Sequence, residues 1–137
     1  MCNSLAKLTP FSGLQETHMI SASSYATKWY ITLFANSVPF QTQLRIWDGL
    51  LLDGQDVLVM MSLALIYAYR SLLTAANASF ETILSTLSAF YIPEDEDLLM
   101  QWIHKMMQNT ETRSMMNGWR KRWQELVRNK EDRSALL

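Results

Sequence analysis

From Ser24 onward the apolar positions recur at helical spacing, and nowhere do apolar and polar residues alternate with period two. The first segment, 24–35, places Tyr25, Trp29, Thr32, Leu33 and Asn36 on one face and Tyr30, Ile31 and Phe34 elsewhere. Apolar on most sides, it reads as a central helix closed by Asn36 and Ser37. Pro39 suits the first turn of the next helix, with Ser37 or Val38 near its cap. That helix, about 40–52, carries Leu44, Trp47 and Leu51 at i, i+3 and i+7, with Leu50 beside them, so this stripe is expected to pack inward. Asp53-Gly54 is a stop, because glycine accepts the left-handed backbone found just past helix ends. Asp56 then opens a helix to about Leu73.

Within that helix only Ser62 interrupts the apolar run 57–69, and Arg70 ends it. A membrane span needs about 20 apolar residues, so this shorter run predicts a buried helix and no transmembrane segment. The stretch 77–79 offers a cap for a helix carrying Phe80, Ile83, Leu84, Leu87 and Phe90. Pro93 with the acids at 94–97 marks the start of another, through Leu98, Leu99, Trp102, Ile103, Met106 and Met107. The expected architecture is all-α, with five to six antiparallel helices. Three parts are expected: an N-terminal segment 1–23 (loop, or a short helix over 14–20), a helical domain 24–108, and a basic tail helix 109–137, in which Gly118 weakens the case for continuity.

Composition narrows the function classes. Hydrophobic residues make up 49% and charged residues 18% of the 137, too apolar for a disordered tail. Twelve basic residues against thirteen acidic ones do not provide the basic surface that generic nucleic-acid binding needs. One cysteine, Cys2, cannot form an internal disulfide, and with only His18 and His104 it cannot complete a Cys/His zinc cage. No secretory signal opens the chain, so the sequon at 77–79 reads as chance and the expected location is cytoplasmic. Phosphate-loop, nucleophile-elbow, dinucleotide and His-Glu-x-x-His motifs are all missing from the sequence, and no cofactor is expected. The acids at 94–97 read as a solvated helix start in preference to a cation site, and His104 as a partly buried structural histidine.

Charge is uneven: residues 111–137 hold seven basic and four acidic side chains, the remainder five and nine. Trp119, Arg120, Lys121, Arg122 and Trp123 concentrate that basicity. The leading reading is a tail helix packing its tryptophans on the bundle. Contact with an anionic membrane surface or a helix-binding partner comes next, and nucleic-acid contact last.

One set of residues is more specific. Tyr25-Ala-x-x-Trp29-Tyr-x-Thr-Leu-Phe34, then Pro39, then Leu44-Arg45-Ile46-Trp47-Asp48, then Gly54 and the apolar helix from Val57 together resemble the C-terminal half of a TBC domain, the Rab GTPase-activating fold. His18-Met19 stands where that family often has a His-Leu pair. The resemblance implies a regulator of Rab-type GTPases in vesicle traffic, acting through an arginine in Ile-x-x-Asp-x-x-Arg and a glutamine in Tyr-x-Gln. The arginine offsets charge on the transferring phosphoryl group and the glutamine orients water. Neither motif occurs in this sequence, so none of its seven arginines is assigned that role and no catalytic residue is expected.

The matching residues Trp29, Phe34, Pro39, Arg45, Trp47, Asp48 and Gly54 read as scaffold. Trp29, Phe34, Leu44 and Trp47 are expected in the core, and Arg45 is expected to pair with Asp48 or with neighbours. The resemblance also implies that the chain is part of a longer domain, a truncated or alternatively started product. A face around 29–31 and the helix 57–69 should then be left open. The resulting expectation is a Rab-GAP family chain inactive by itself. The rival is a non-catalytic module that binds a small GTPase or a scaffold protein, and peripheral attachment to endomembranes through 113–130 is the third reading.

Overall fold

The structure, a computed structural model, describes residues 21–75 and 77–129; the expectations for Cys2, Pro10, Gly13, His18 and a helix over 14–20 lie outside them. Seven helices and no strand occur among the described residues: α1 Ser23–Ile31, α2 Phe40–Asp53, α3 Asp56–Ala68, α4 Arg70–Leu73, α5 Phe80–Ser88, α6 Glu96–Gln108 and α7 Thr110–Arg128. The all-α reading stands. The chain divides within α6 into two compact units, one up to Ile103 and one from His104 on.

In the first unit α3 is the central helix. Val57, Leu58, Met60, Met61, Ala64, Leu65 and Ile66 are buried on nearly all sides, and α1, α2 and α4 pack around it. Full burial of such a side chain contributes about 1.5–3 kcal/mol relative to exposure, so this run is a large part of the unit's core. Ser62, the one polar interruption, is accommodated because its hydroxyl donates to the Leu58 carbonyl at 2.9 Å and lies 3.0 Å from the Tyr30 hydroxyl.

α1 departs from expectation twice. It is not central: only Tyr25 and Trp29 are buried, and Ile31 is 77% exposed. It also ends at Ile31, four residues early, without a glycine. Leu33 and Phe34 take the left-handed conformation, with φ of 48° and 65°. The Phe34 N–H reaches the Trp29 carbonyl at 2.8 Å and the Leu33 N–H the Tyr30 carbonyl at 3.4 Å, the paired bonds of a Schellman stop. The apolar contact that accompanies this motif is the Phe34 ring stacked on Trp29, centroids 6.0 Å apart at 19°. Ring stacking and backbone bonds together hold a conformation that costs an L-residue about 1–2 kcal/mol.

α2 corrects the expected packing face. Thr42, Gln43 and Ile46 are buried, whereas Leu44 is 37% and Leu51 85% exposed. The expected stripe is therefore split: Leu44 and Leu51 lie outward with Phe40, while Trp47 and Leu50 are half-buried. The inward face is chosen by fit. A Cβ added at Gly49 would lie 3.2 Å from Val57 Cγ1, so this glycine allows α2 to approach α3, and buried Thr42 has a hydrogen-bond partner on α6. The expected open face around 29–31 and 57–69 is met only in part: Tyr30 and Ile31 are exposed, whereas Trp29 and most of α3 are buried, and the row on α2 is open as well.

The remaining helices start where side chains cap them. Ser79 accepts from the Thr82 N–H for α5 and Asn109 from the Thr112 N–H for α7. For α6 the capping acceptor is Asp95 Oδ1, 2.9 Å from the Leu98 N–H, so the helix begins at Glu96 and Pro93 lies ahead of its first turn. The segment expected as one helix to Leu73 is interrupted at Tyr69, whose backbone sits at φ −89°, ψ 4°. In the second unit α7 runs unbroken through Gly118. His104 is exposed and 2.7 Å from Gln108, which corrects its expected partial burial.

Candidate functional site

The family-like residues gather at two places in the first unit. At the first, the end of α1, Tyr25 meets Trp29 edge-on with centroids 5.2 Å apart, and Trp29 and Phe34 are both buried. Trp47, half-buried on α2, donates its indole N–H to the Leu33 carbonyl at 2.9 Å. This bond satisfies a carbonyl within the left-handed turn, joining α1 to α2. Pro39 occupies the position just before α2 (φ −56°, ψ 151°), one residue ahead of the first turn expected for it, and its carbonyl accepts the Gln43 N–H at 2.9 Å. Gly54 ends α2 at φ 87°, a left-handed position that favours glycine.

The second place joins α2 to α6. Arg45 Nη1 lies 2.5 Å from Asp97 Oδ1 and 3.8 Å from Glu96 Oε2, and the Thr42 hydroxyl donates to Glu96 Oε1 at 2.5 Å. Arg45 thus pairs across helices and not with Asp48, which is exposed and makes no ion pair among the described residues. The reason is reach: α6 presents two carboxylates side by side at its first turn, where they also favour the positive helix end. With Arg45 and Asp97 both well exposed, the ion pair contributes at most about 1 kcal/mol. No group of three metal-ligating side chains occurs among the described residues, and three of the four acids expected at a helix start have these structural roles.

Beside this junction a cavity of about 560 Å³ is lined by Tyr67, Tyr69, Tyr91, Trp102, Glu94 and Asp95, among others. Tyr67 and Trp102 are nearly parallel (15°, 6.5 Å), and Tyr69 meets Tyr91 edge-on at 5.7 Å. Burial raises the phenol pKa of Tyr69; burial, then the charges of Tyr69 and Glu94, raise that of Tyr91. No motif pointed to this cavity. Its four rings come from three separate stretches whose meeting the linear spacing does not encode.

In the second unit α7 presents Trp119 and Trp123, 56% and 53% exposed, with Lys121 and Arg122 exposed and Arg120 half-buried, its guanidinium 3.1 Å from the Asn117 side-chain oxygen. The leading expectation, a tryptophan stripe packed inward, is corrected: the buried residues of α7 are Thr112 and Met116. At helical spacing Met115, Trp119, Trp123 and Val127 form a partly open apolar strip, with Arg122 at one edge and Arg113 and Arg120 at the other. Among the described residues no helix is long and apolar enough to cross a membrane.

Comparison with known proteins places these features. The family model for the Rab-GTPase-TBC domain matches residues 5–74, which take in α1 to α4. A TBC domain-containing protein of Schizosaccharomyces pombe is 34% identical over 103 residues, covering 69% of this chain and 25% of its own length. Growth hormone-regulated TBC protein 1 is 37% identical over 71 residues in Xenopus laevis and 32% over 73 in Homo sapiens, covering 52% and 53% of this chain and 21% and 22% of the relative. The chain therefore spans about a quarter of the length of the first relative and about a fifth of the other two. No solved structure matches it significantly. With half of its residues matched by that model, and with Trp29, Phe34 and Trp47 of the motif meeting at the α1–α2 turn, the chain belongs to the Rab-GTPase-TBC domain family.

Proposed function

We propose that this chain is the C-terminal portion of a Rab-GTPase-activating domain serving vesicle traffic, and that it supplies scaffold and not catalytic groups. The observation that carries the reading is the pairing of a family match over 5–74 with a sequence holding neither Ile-x-x-Asp-x-x-Arg nor Tyr-x-Gln. An inserted arginine is worth about 10³–10⁵ in GTPase rate, so a chain without it should leave hydrolysis at its intrinsic level. The matched residues act as framework: Trp29, Phe34 and Trp47 fix the α1–α2 turn, and Arg45 fixes α2 to α6. On this reading the domain proper is the stretch 24–108, and the outward row of Phe40, Leu44 and Leu51 on α2 is the surface that the rest of a longer domain covers. Single-turnover GTP hydrolysis by a panel of Rab GTPases, with and without the chain, tests the proposal. Rates within twofold of intrinsic are expected, and a tenfold acceleration refutes it. If the chain is instead a binding module, nucleotide-dependent capture of a Rab without acceleration distinguishes it from nucleotide-independent capture of a scaffold protein.

A second reading is favoured by α7. Half-exposed Trp119 and Trp123, edged by arginines on a helix with five basic and two acidic residues, match an interfacial helix on an anionic membrane surface. Membrane attachment of this kind is peripheral and would place the chain at the cytoplasmic face of endomembranes. Co-sedimentation with phosphatidylserine-containing vesicles, lost in neutral vesicles and in the Trp119→Ala/Trp123→Ala variant, is the expected result; equal sedimentation of the variant ends the idea.

A further inference from the structure

We propose that the cavity walled by Tyr67, Tyr69, Tyr91 and Trp102 is a binding site for an arginine side chain presented by a partner protein. Its volume, about 560 Å³, falls in the range of ligand pockets, and its four aromatic walls are each half-buried, with Arg70 already over the Tyr67 ring. Two carboxylates, Glu94 and Asp95, share the lining with those rings, and no basic side chain does. Aromatic faces carry negative quadrupole charge, so rings and carboxylates select a cation together and reject an anion.

The acidic cluster at 94–97 is split in a way that sharpens this assignment. Glu96 and Asp97 turn to α2 and share Arg45. Glu94 and Asp95 line the cavity and make no ion pair among the described residues. Asp95 accepts the Leu98 N–H through Oδ1, which leaves its second oxygen for a guest. The start of α6 contributes about half a positive charge, and Arg45 and Arg70 one each; four carboxylates outweigh all three. The net field at the mouth is negative.

The choice of guanidinium over ammonium follows from the same walls. Arg70 already lays its guanidinium over the Tyr67 ring at 4.1 Å while donating to the Tyr67 carbonyl at 2.8 Å, an internal instance of the contact proposed for the guest. A planar, weakly hydrated guanidinium stacks on flat rings and offers paired donors to carboxylates, whereas a compact ammonium is held more tightly by water.

Titration of the full 137-residue chain with acetyl-Ala-Arg-Ala-amide, followed by amide chemical shifts, tests the proposal. Shifts centred on Tyr69, Tyr91 and Trp102 are expected, with the citrulline peptide, neutral but of the same shape, and the lysine peptide each binding at least fivefold more weakly. The Glu94→Gln/Asp95→Asn variant should weaken arginine-peptide binding at least threefold. Asparagine caps a helix as well as aspartate, and circular dichroism together with the single Glu94→Gln variant separates a binding defect from a folding one. Equal binding of the citrulline peptide, an unchanged affinity in the double variant, shifts confined to other residues, or no shift at millimolar peptide each overturns the site. Equal binding of the lysine peptide, or tighter binding of tetramethylammonium, overturns the choice of guest.

Discussion

Trp47→Phe isolates the bond that ties α2 to the left-handed end of α1. The replacement keeps an aromatic ring but removes the indole N–H that donates to the Leu33 carbonyl at 2.9 Å. Loss of one such bond at a part-buried carbonyl costs about 1 kcal/mol, and the smaller ring forfeits up to about 1 kcal/mol more of half-buried apolar area. The total, about 1.5–2 kcal/mol, corresponds to a fall in Tm of roughly 5–8 °C for a chain of this size. Thermal unfolding followed by circular dichroism reads that shift. Hydrogen exchange localises it, because the Phe34 amide, bonded to the Trp29 carbonyl, sits inside the turn that the indole restrains. Its exchange should rise about ten- to thirtyfold, tenfold corresponding to about 1.4 kcal/mol of local opening. Trp123→Phe, at an exposed ring of α7, is the control and should leave both readouts unchanged. If Trp47→Phe melts within 1 °C of the parent and Phe34 exchanges at the parent rate, the indole does not hold the turn.

Three further outcomes follow from the fold. Ser37 Oγ is buried without a hydrogen-bond partner among the described residues, so Ser37→Ala should raise stability by about 1 kcal/mol, and an unchanged or lower urea midpoint contradicts this. Gly54 has φ 87° and open space where a Cβ would stand, so Gly54→Ala should cost about 1 kcal/mol from backbone strain alone, whereas D-alanine introduced there by chemical synthesis should cost nothing; equal loss with both enantiomers would assign the effect to contacts instead. Burial raises the Tyr69 and Tyr91 phenols above their ordinary 10.0, so on passing that pH the unfolded chain loses these protons first and stability falls; Tyr69→Phe/Tyr91→Phe should flatten the alkaline limb of a Tm-versus-pH curve, and an unaltered limb refutes the assignment.

Helical periodicity carried the element plan because each helix repeats its own apolar spacing. The run 57–69 is apolar on every side, and only a central helix can bury it, so α3 was legible without coordinates. What misled was the choice of face. Leu44, Trp47 and Leu51 make the most regular stripe on α2, yet the helix buries Thr42, Gln43 and Ile46. Gly49 lets α2 close on Val57, and a carboxylate 54 residues from Thr42 receives its hydroxyl; neither enters a local pattern. The early stop of α1 was hidden for a related reason. Leu33 supplies the left-handed residue where glycine is usual, held by Trp47 from the next helix. Pro39 and Gly54 were readable as punctuation because their backbone limits are intrinsic. The partner of Arg45 and the rings around the cavity depend on stretches far apart in sequence and become visible only when the chain is folded.

The leucines that α2 turns outward bear on how this polypeptide behaves at the bench. Leu51 and Leu52, 85% and 84% exposed, follow Phe40 at 65% along α2, with the exposed charge of Asp48 set among them. Two such strips meeting would hide oily surface at little structural expense, so sedimentation velocity should detect reversible clustering as concentration climbs. Placing a lysine at Leu51 would disperse the clusters while leaving the helix content intact.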